Sequence, residues 1–259
     1  MGRVLAVYLH GSNCTGGGKL RRPYPANARM FIKRRYPIMS QTNFETARKM
    51  MVDCQIRPSK VTNEDVLAAF LTVPREAFVG KSQRAIAYVD EDLPLPGGRN
   101  LMEPMILARL IQALEVRAGD SVLVVGAATG YGSAIMARLS GSVIAVEARS
   151  LLVEKAQETL VEHGIDNAAV IKSRLVDGYA AEAPYDRILI EGGVEFIPNT
   201  LLQQLCPKGR LAAIYRPQSS PIGVASLWTR SGKMFVRTPL FDARVPNLDE
   251  FNKKPEFNF

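Results

Sequence analysis

Long apolar runs are missing from this 259-residue chain. A membrane-spanning helix needs roughly 18–20 consecutive apolar residues, so no such span is expected. Histidine and cysteine are scarce. The two histidines, His10 and His163, are too few to build a metal site, and His163 reads as a cation at a helix C-terminus. The three cysteines, Cys14, Cys54 and Cys206, are scattered and odd in number. They form neither a disulfide framework nor a zinc cluster, and a reducing cytoplasm is the expected compartment. Acid is absent from residues 1–38, which hold Arg3, Lys19, Arg21, Arg22, Arg29, Lys33, Arg34 and Arg35. The whole net charge of +8 therefore lies there, and the remainder balances 25 basic against 25 acidic groups. A body without basic excess lacks the footprint of a nucleic-acid binder. No nucleic-acid or membrane partner is expected, and the chain is read as a monomer.

What is present divides the chain. Residues 1–38 are rich in Gly, Pro and Arg, without helix or strand period, and read as disordered. Met39 is read as the true start and 1–38 as a mis-called extension, with an organellar transit peptide as the alternative. Residues 39–115 read as a helical and loop region on the substrate side. FETARKMMVDCQI is helical. A second helix follows Thr62 as N-cap and stops before Pro74. AYVDEDLPLPGGRN is loop-like, and EPMILARLIQALEV is an amphipathic helix with Pro104 in its first turn. Residues 116–245 alternate continuous apolar strands with helices, the pattern of a covered parallel sheet. VASLWTR and MFVRTPLF close it as an antiparallel hairpin. Residues 246–259 read as a C-terminal tail.

The stretch VLVVGAATGYG, at 122–132, carries the chemistry. In an open parallel sheet, ligands lie beyond the carboxyl ends of the strands at the switch point. Gly126 turns the chain sharply and Gly130 permits close approach of backbone. Glu147 ends the second strand 21 residues after Gly126, placed to accept hydrogen bonds from a ribose. The glycine spacing lacks the Gly-x-Gly-x-x-Gly arrangement that a pyrophosphate wants, which disfavours a nicotinamide dinucleotide. S-adenosylmethionine, without phosphates, needs only a looser turn.

From about residue 44 to 242 the chain resembles the protein-L-isoaspartate O-methyltransferase family. The resemblance rests on VPREAFV (73–79), AYVDEDLPL (87–95), the glycine turn, VIAVEA (143–148), APYDRILIEGG (183–193) and IPNTLLQQLCPKGRLAAI (197–214). It implies a Rossmann-like class I methyltransferase. The expected cofactor is S-adenosyl-L-methionine and the expected substrate the α-carboxylate of isoaspartyl residues in damaged proteins. The cofactor positions it implies are Gly126, Ala127, Ala128, Thr129, Gly130 and Tyr131. Glu147 and Ala148 join them from the second strand, and Arg174 and Leu175 after the third. The substrate positions are Arg99, Leu101, Met102 and Glu103.

Several of these depart from the family pattern. An acid of the first strand, which supports the turn and the methionyl amine, is replaced by Val124. Ser173-Arg174-Leu175 stands where Gly-Asp-Gly holds the adenine edge. Leu101-Met102-Glu103-Pro104 stands for Ile-Ser-Gln-Pro, so the serine at the substrate carboxylate is Met102. Glu103 either repels a substrate carboxylate or is a solvated acid at a helix start. Two functions follow: a carboxyl O-methyltransferase engaged in protein repair, or an impaired relative that keeps the fold as a ligand- or protein-binding module.

Overall fold

The computed structural model describes residues 41–253. The readings for 1–38 and for residues 254–259 of the tail lie outside these residues. Helix α1 (Gln41–Met51) runs into a wider-wound stretch, Val52–Ile56, which buries Val52 and Ile56. Helix α2 (Glu64–Thr72) is capped by Asn63, whose side chain accepts from the Val66 amide at 3.0 Å. The cap is thus one residue beyond Thr62, because the side-chain oxygen must reach the third helical amide. The Thr62 amide donates instead to Gln112 Oε1 at 2.7 Å.

The AYVDEDLPLPGGRN segment is more ordered than a loop. Strands β1 (Leu93–Leu95) and β2 (Arg99–Leu101) pair antiparallel around a turn containing Gly97 and Gly98. Helix α3 (Pro104–Leu114) begins with Pro104 at its first position, where a missing N–H costs nothing.

The core alternates as its apolar runs suggest. In order come β3 (Ser121–Val125), α4 (Tyr131–Leu139), β4 (Ser142–Glu147), α5 (Ser150–Glu162), β5 (Ala168–Lys172) and β6 (Tyr185–Val194). Helix α6 (Asn199–Leu202) is a single turn, because the chain re-enters the sheet at once as β7 (Leu205–Tyr215). Strands β8 (Gly223–Ser231) and β9 (Met234–Ala243) complete it. The sheet order is β5-β4-β3-β6-β7-β8-β9, parallel from β5 to β7 and antiparallel beyond. The chain first builds outward on one side of β3 and then returns to its other side with β6. That reversal puts the switch point at the carboxyl ends of β3, β4 and β6.

The two faces differ. One packs Val122, Val124 and Leu189 under the α-helices and the N-terminal region. The other packs Leu123, Val125 and Ile190 under α6, Leu248 and Phe251. Residues 246–251, read from sequence as tail, are part of this second layer. Leu248 donates its amide to Gly193 O, Gly193 to Pro246 O, and Glu195 to Phe251 O, at 2.9, 2.9 and 3.1 Å. Burying Leu248 and Phe251 contributes about 1.5–3 kcal/mol for each side chain.

Candidate functional site

Leaving β3, the chain turns on two left-handed glycines, Gly126 (φ +80) and Gly130 (φ +95), with Ala128 also left-handed (φ +49). The Gly126 and Ala127 amides donate to Val146 O of β4, and the Gly130 amide closes the turn on Ala127 O at 2.7 Å. Thr129 Oγ1 donates to Phe78 O at 2.7 Å, tying the turn to the N-terminal region. Tyr131 opens α4, fully buried, its ring edge-on to Phe70 and Phe78. Burial holds its hydroxyl up at a pKa of about 12.

Glu147 reaches this turn from the tip of β4. Its Oε2 accepts from the Ala128 amide at 3.1 Å, and its Oε1 from the Ala148 and Arg149 amides at 2.8 and 3.0 Å. Arg99 of β2 fills the remaining directions, with Nε 3.2 and 3.1 Å from the two oxygens. Both side chains are sealed, at 3% and 0% exposure. The carboxylate is therefore saturated by the chain's own donors.

Two more groups cover the rim. A Cβ on Gly126 would meet Leu248 Cδ1 at 3.2 Å, and one on Gly192 would meet Leu248 Cγ at 2.5 Å. The Leu175 amide donates to Glu250 Oε2 at 3.0 Å. Leu175 is buried, whereas Arg174 points outward, 73% exposed, and pairs with Asp177 at 3.6 Å. Arg174 and Glu250 share the wall of an adjoining cavity of about 960 Å³ with Phe196 and Lys253.

On the substrate side, Leu101 and Met102 are buried. The Met102 carbonyl accepts from Arg75 Nη2 at 2.8 Å, and Ala87 O accepts from Arg75 Nε at 2.7 Å. Arg75 is wholly buried, and its Nη1 has no partner among the described residues. Glu103 is the N-cap residue of α3, its amide donating to Asp92 Oδ1 at 2.8 Å. Burial first, then Asp90, Asp92 and Glu91, lifts its pKa to about 7. It is neither freely solvated nor within the helix's first turn. Tyr88 is tethered to the core, its hydroxyl held between Arg48 and Glu76. Among the described residues no group of three or more His, Cys, Asp or Glu side chains is arranged to hold a metal ion.

Two residues of this site went unnoticed in the sequence. Arg75 stands in VPREAF with no motif to mark it, yet it is the largest fully buried side chain among the described residues. Glu191 interrupts ILIEGG, and an acid ending an apolar run at a switch point was the available signal. Burial raises its pKa to about 8.

A family profile described as Protein-L-isoaspartate(D-aspartate) O-methyltransferase (PCMT) matches residues 46–220. The chain belongs to this family. A relative from Rhodopseudomonas palustris (strain HaA2), Protein-L-isoaspartate O-methyltransferase 1, is 34% identical over 85% of this chain and 88% of its own length. One from Koribacter versatilis (strain Ellin345) is 36% identical over 80% of this chain and 92% of its own. Among solved structures, a protein-L-isoaspartate O-methyltransferase superposes with a TM-score of 0.71 at 25% identity, covering 79% of this chain and 67% of that one. A Plasmodium falciparum protein of the same description, in complex with S-adenosyl-L-homocysteine, gives 0.67 at 19% identity, covering 80% and 98%. The fold is that of these methyltransferases, a mostly parallel sheet with antiparallel C-terminal strands behind N-terminal helices.

Proposed function

We propose that this family member is an S-adenosylmethionine-dependent carboxyl O-methyltransferase acting on isoaspartyl residues of proteins. One observation carries the reading. At the switch point, a left-handed turn (Gly126, Ala128, Gly130) and the Glu147 carboxylate face each other, joined by the Ala128 amide. The donor and acceptor types suit a nucleoside: an acid at the β4 tip, a turn that admits close approach, and a backbone amide at Leu175. The room is taken by Arg99, Leu248 and Glu250, so entry of the nucleoside requires these three to move.

S-adenosylmethionine, when bound, supplies an electrophilic methyl on a sulfonium. The nucleophile is a carboxylate, already ionised at neutral pH, so the chain needs no general base. Its residues bind, orient and exclude water. Glu147 would hold the ribose in place of Arg99, and the Leu175 amide would hold the adenine edge in place of Glu250. Met102 offers no side-chain donor, but the spare Nη1 of Arg75 lies on the guanidinium that holds the Met102 carbonyl. Arg75 fixes the backbone at the position where the family has a serine, through the Met102 carbonyl. Glu103, with its raised pKa, carries less negative charge near pH 7 than an ordinary glutamate and repels that carboxylate less.

The test is methyl transfer from labelled cofactor to an isoaspartyl peptide, with the normal aspartyl peptide as control. Label in the first alone is expected. Label in neither, together with no binding of S-adenosylhomocysteine, removes the reading and leaves a fold retained without the chemistry.

A further inference from the structure

Glu191 stands on β6 one residue beyond Ile190, which pairs with Val125 of β3, while Leu189 pairs with Val124. The register of β6 shifts after Leu189, and the contact with α4 fixes the side: Glu191 lies on the sheet face that packs Leu189 and Val124. It is one pleat further toward the carboxyl end, on the neighbouring strand to Val124. Its side chain lies against the first turn of α4, where a Cβ on Gly132 would come 2.2 Å from Oε1. The residue is 8% exposed, and Oε1 is shut off from solvent with no hydrogen-bond partner among the described residues.

A buried carboxyl without a donor is costly, and each such group in a native protein calls for an explanation. Glu191 lies at the first turn of α4, yet no amide of that turn donates to its Oε1. The nearby Arg75 directs Nε and Nη2 to the carbonyls of Ala87 and Met102. The position that would hold an acid in the first strand is Val124, buried and apolar. The molecule thus lacks a carboxylate at one point of the rim and has one, unpartnered, a strand away on the same face.

We propose that Glu191 receives the α-ammonium of the cofactor's methionyl tail, restoring from β6 the negative charge that β3 lacks at Val124. The proposal rests on the cofactor reading above. The ammonium is the right chemical partner because a carboxylate is an acceptor and an ammonium brings three donors. The sulfonium has charge but no hydrogen to give, and a substrate carboxylate has a charge of the wrong sign and no hydrogen.

The assignment makes affinity depend on pH. Four groups set the local field: Glu191 itself, Glu147 from β4, Arg75 from the turn after α2, and Tyr131 from α4. Tyr131, with its raised pKa, stays neutral near pH 7–8. Glu147 opposes ionisation of Glu191 and Arg75 favours it, with burial the larger effect. An incoming ammonium needs the carboxylate form, so binding at neutral pH expels the Glu191 proton, and affinity rises with pH through about 8.

The experiment compares S-adenosylhomocysteine with 5′-methylthioadenosine, which shares its nucleoside and thioether but has no amino-acid tail. Both are titrated calorimetrically into the full chain and into Glu191→Gln, at pH 6.5 and 8.5. The amide keeps the shape and one acceptor while removing the charge. Glu191→Gln is expected to weaken S-adenosylhomocysteine by about tenfold or more, the scale of a charged hydrogen bond, and to leave methylthioadenosine unchanged. The wild-type preference for the tailed ligand is expected to grow between the two pH values, and that of Glu191→Gln to stay level. An unchanged preference in Glu191→Gln overturns the assignment while methylthioadenosine binding keeps the cofactor reading alive. Affinity for the tailed ligand that falls with pH also overturns it, because a protonated Glu191 would then be donating to the tail's carboxylate. Binding of neither ligand to the wild type removes both.

Discussion

The tip of β4 and the part of β6 just past its last pairing with β3 each carry a buried glutamate on the same rim of the sheet, and the two have opposite surroundings. Glu147 accepts from three backbone amides and from Arg99. Glu191 has an oxygen with no donor at all among the described residues. Burial is nearly equal, at 0% and 8% exposure, so desolvation alone does not separate them. Hydrogen bonding does. Each Glu147 oxygen is matched by a donor, whereas burial without a donor drives Glu191 toward its neutral form. The first is a structural fixture that a ligand must pry from its partner. The second is held in a state that a ligand can complete.

The strongest way to break this contrast is Glu147→Ala. It leaves Arg99 buried without its anion and three amides without an acceptor, and removing one partner of a buried pair costs about 3–5 kcal/mol. Denaturant unfolding should show that loss, whereas Glu191→Gln should unfold no more easily than wild type. Equal destabilisation of the two variants would mean that Glu191 has a structural partner after all.

Next is Leu248→Ala. Truncating a buried leucine costs about 2–5 kcal/mol. The same change clears the space above Gly126 and Gly192. Stability and affinity for S-adenosylhomocysteine should therefore move in opposite directions, lower by unfolding and tighter by calorimetry. Weaker binding alongside lower stability would mean that Leu248 supports the ligand instead of standing in its place.

The sequence makes one half of the comparison readable and hides the other. Ser121–Val125, the glycine turn and Glu147 form a local pattern whose spacing is dictated by strand length and crossover helix. The Arg99–Glu147 pair joins residues 48 apart through a short hairpin whose prolines and glycines read as loop. Leu248 sits in a segment too short and polar to announce a layer, and it packs only because Gly192 and Gly193 open the surface of β6. Glu191 was hidden by its surroundings: an acid in an apolar strand ordinarily reaches solvent, and its burial against the first turn of α4 cannot be inferred from composition. The same holds for Arg75, whose burial depends on carbonyls of Ala87 and Met102 converging from separate turns.

A smaller effect sharpens the contrast through pH. The Glu191 pKa of about 8 in the folded chain lies above a glutamate's ordinary 4.5, so the native state keeps a proton that the unfolded chain releases between these values. Stability from this group falls as pH rises across that window, by on the order of a few kcal/mol in total. Glu103, raised to about 7, acts in the same direction, but its partial exposure screens the effect. Thermal midpoints of wild type should drop from pH 6 to 8.5. Those of Glu191→Gln should drop less, with the residue attributable to Glu103. Parallel curves for the two proteins would place the titration elsewhere.

The smallest expected change concerns a third carboxylate, Glu250, whose Oε2 holds the Leu175 amide at 3.0 Å beside the open cavity. This one is neither saturated nor sealed. Glu250→Gln keeps an acceptor and gives up only the charge assistance, a difference of about 1 kcal/mol or less between charged and neutral hydrogen bonds. Unfolding in denaturant should register little. Glu250→Ala frees the Leu175 amide, and if that amide serves the adenine edge, affinity for methylthioadenosine should rise slightly while the preference for the tailed ligand stays fixed. A change in that preference instead would couple Glu250 to the amino-acid end of the site, and the separation between the adenine edge and the Glu191 end would fail.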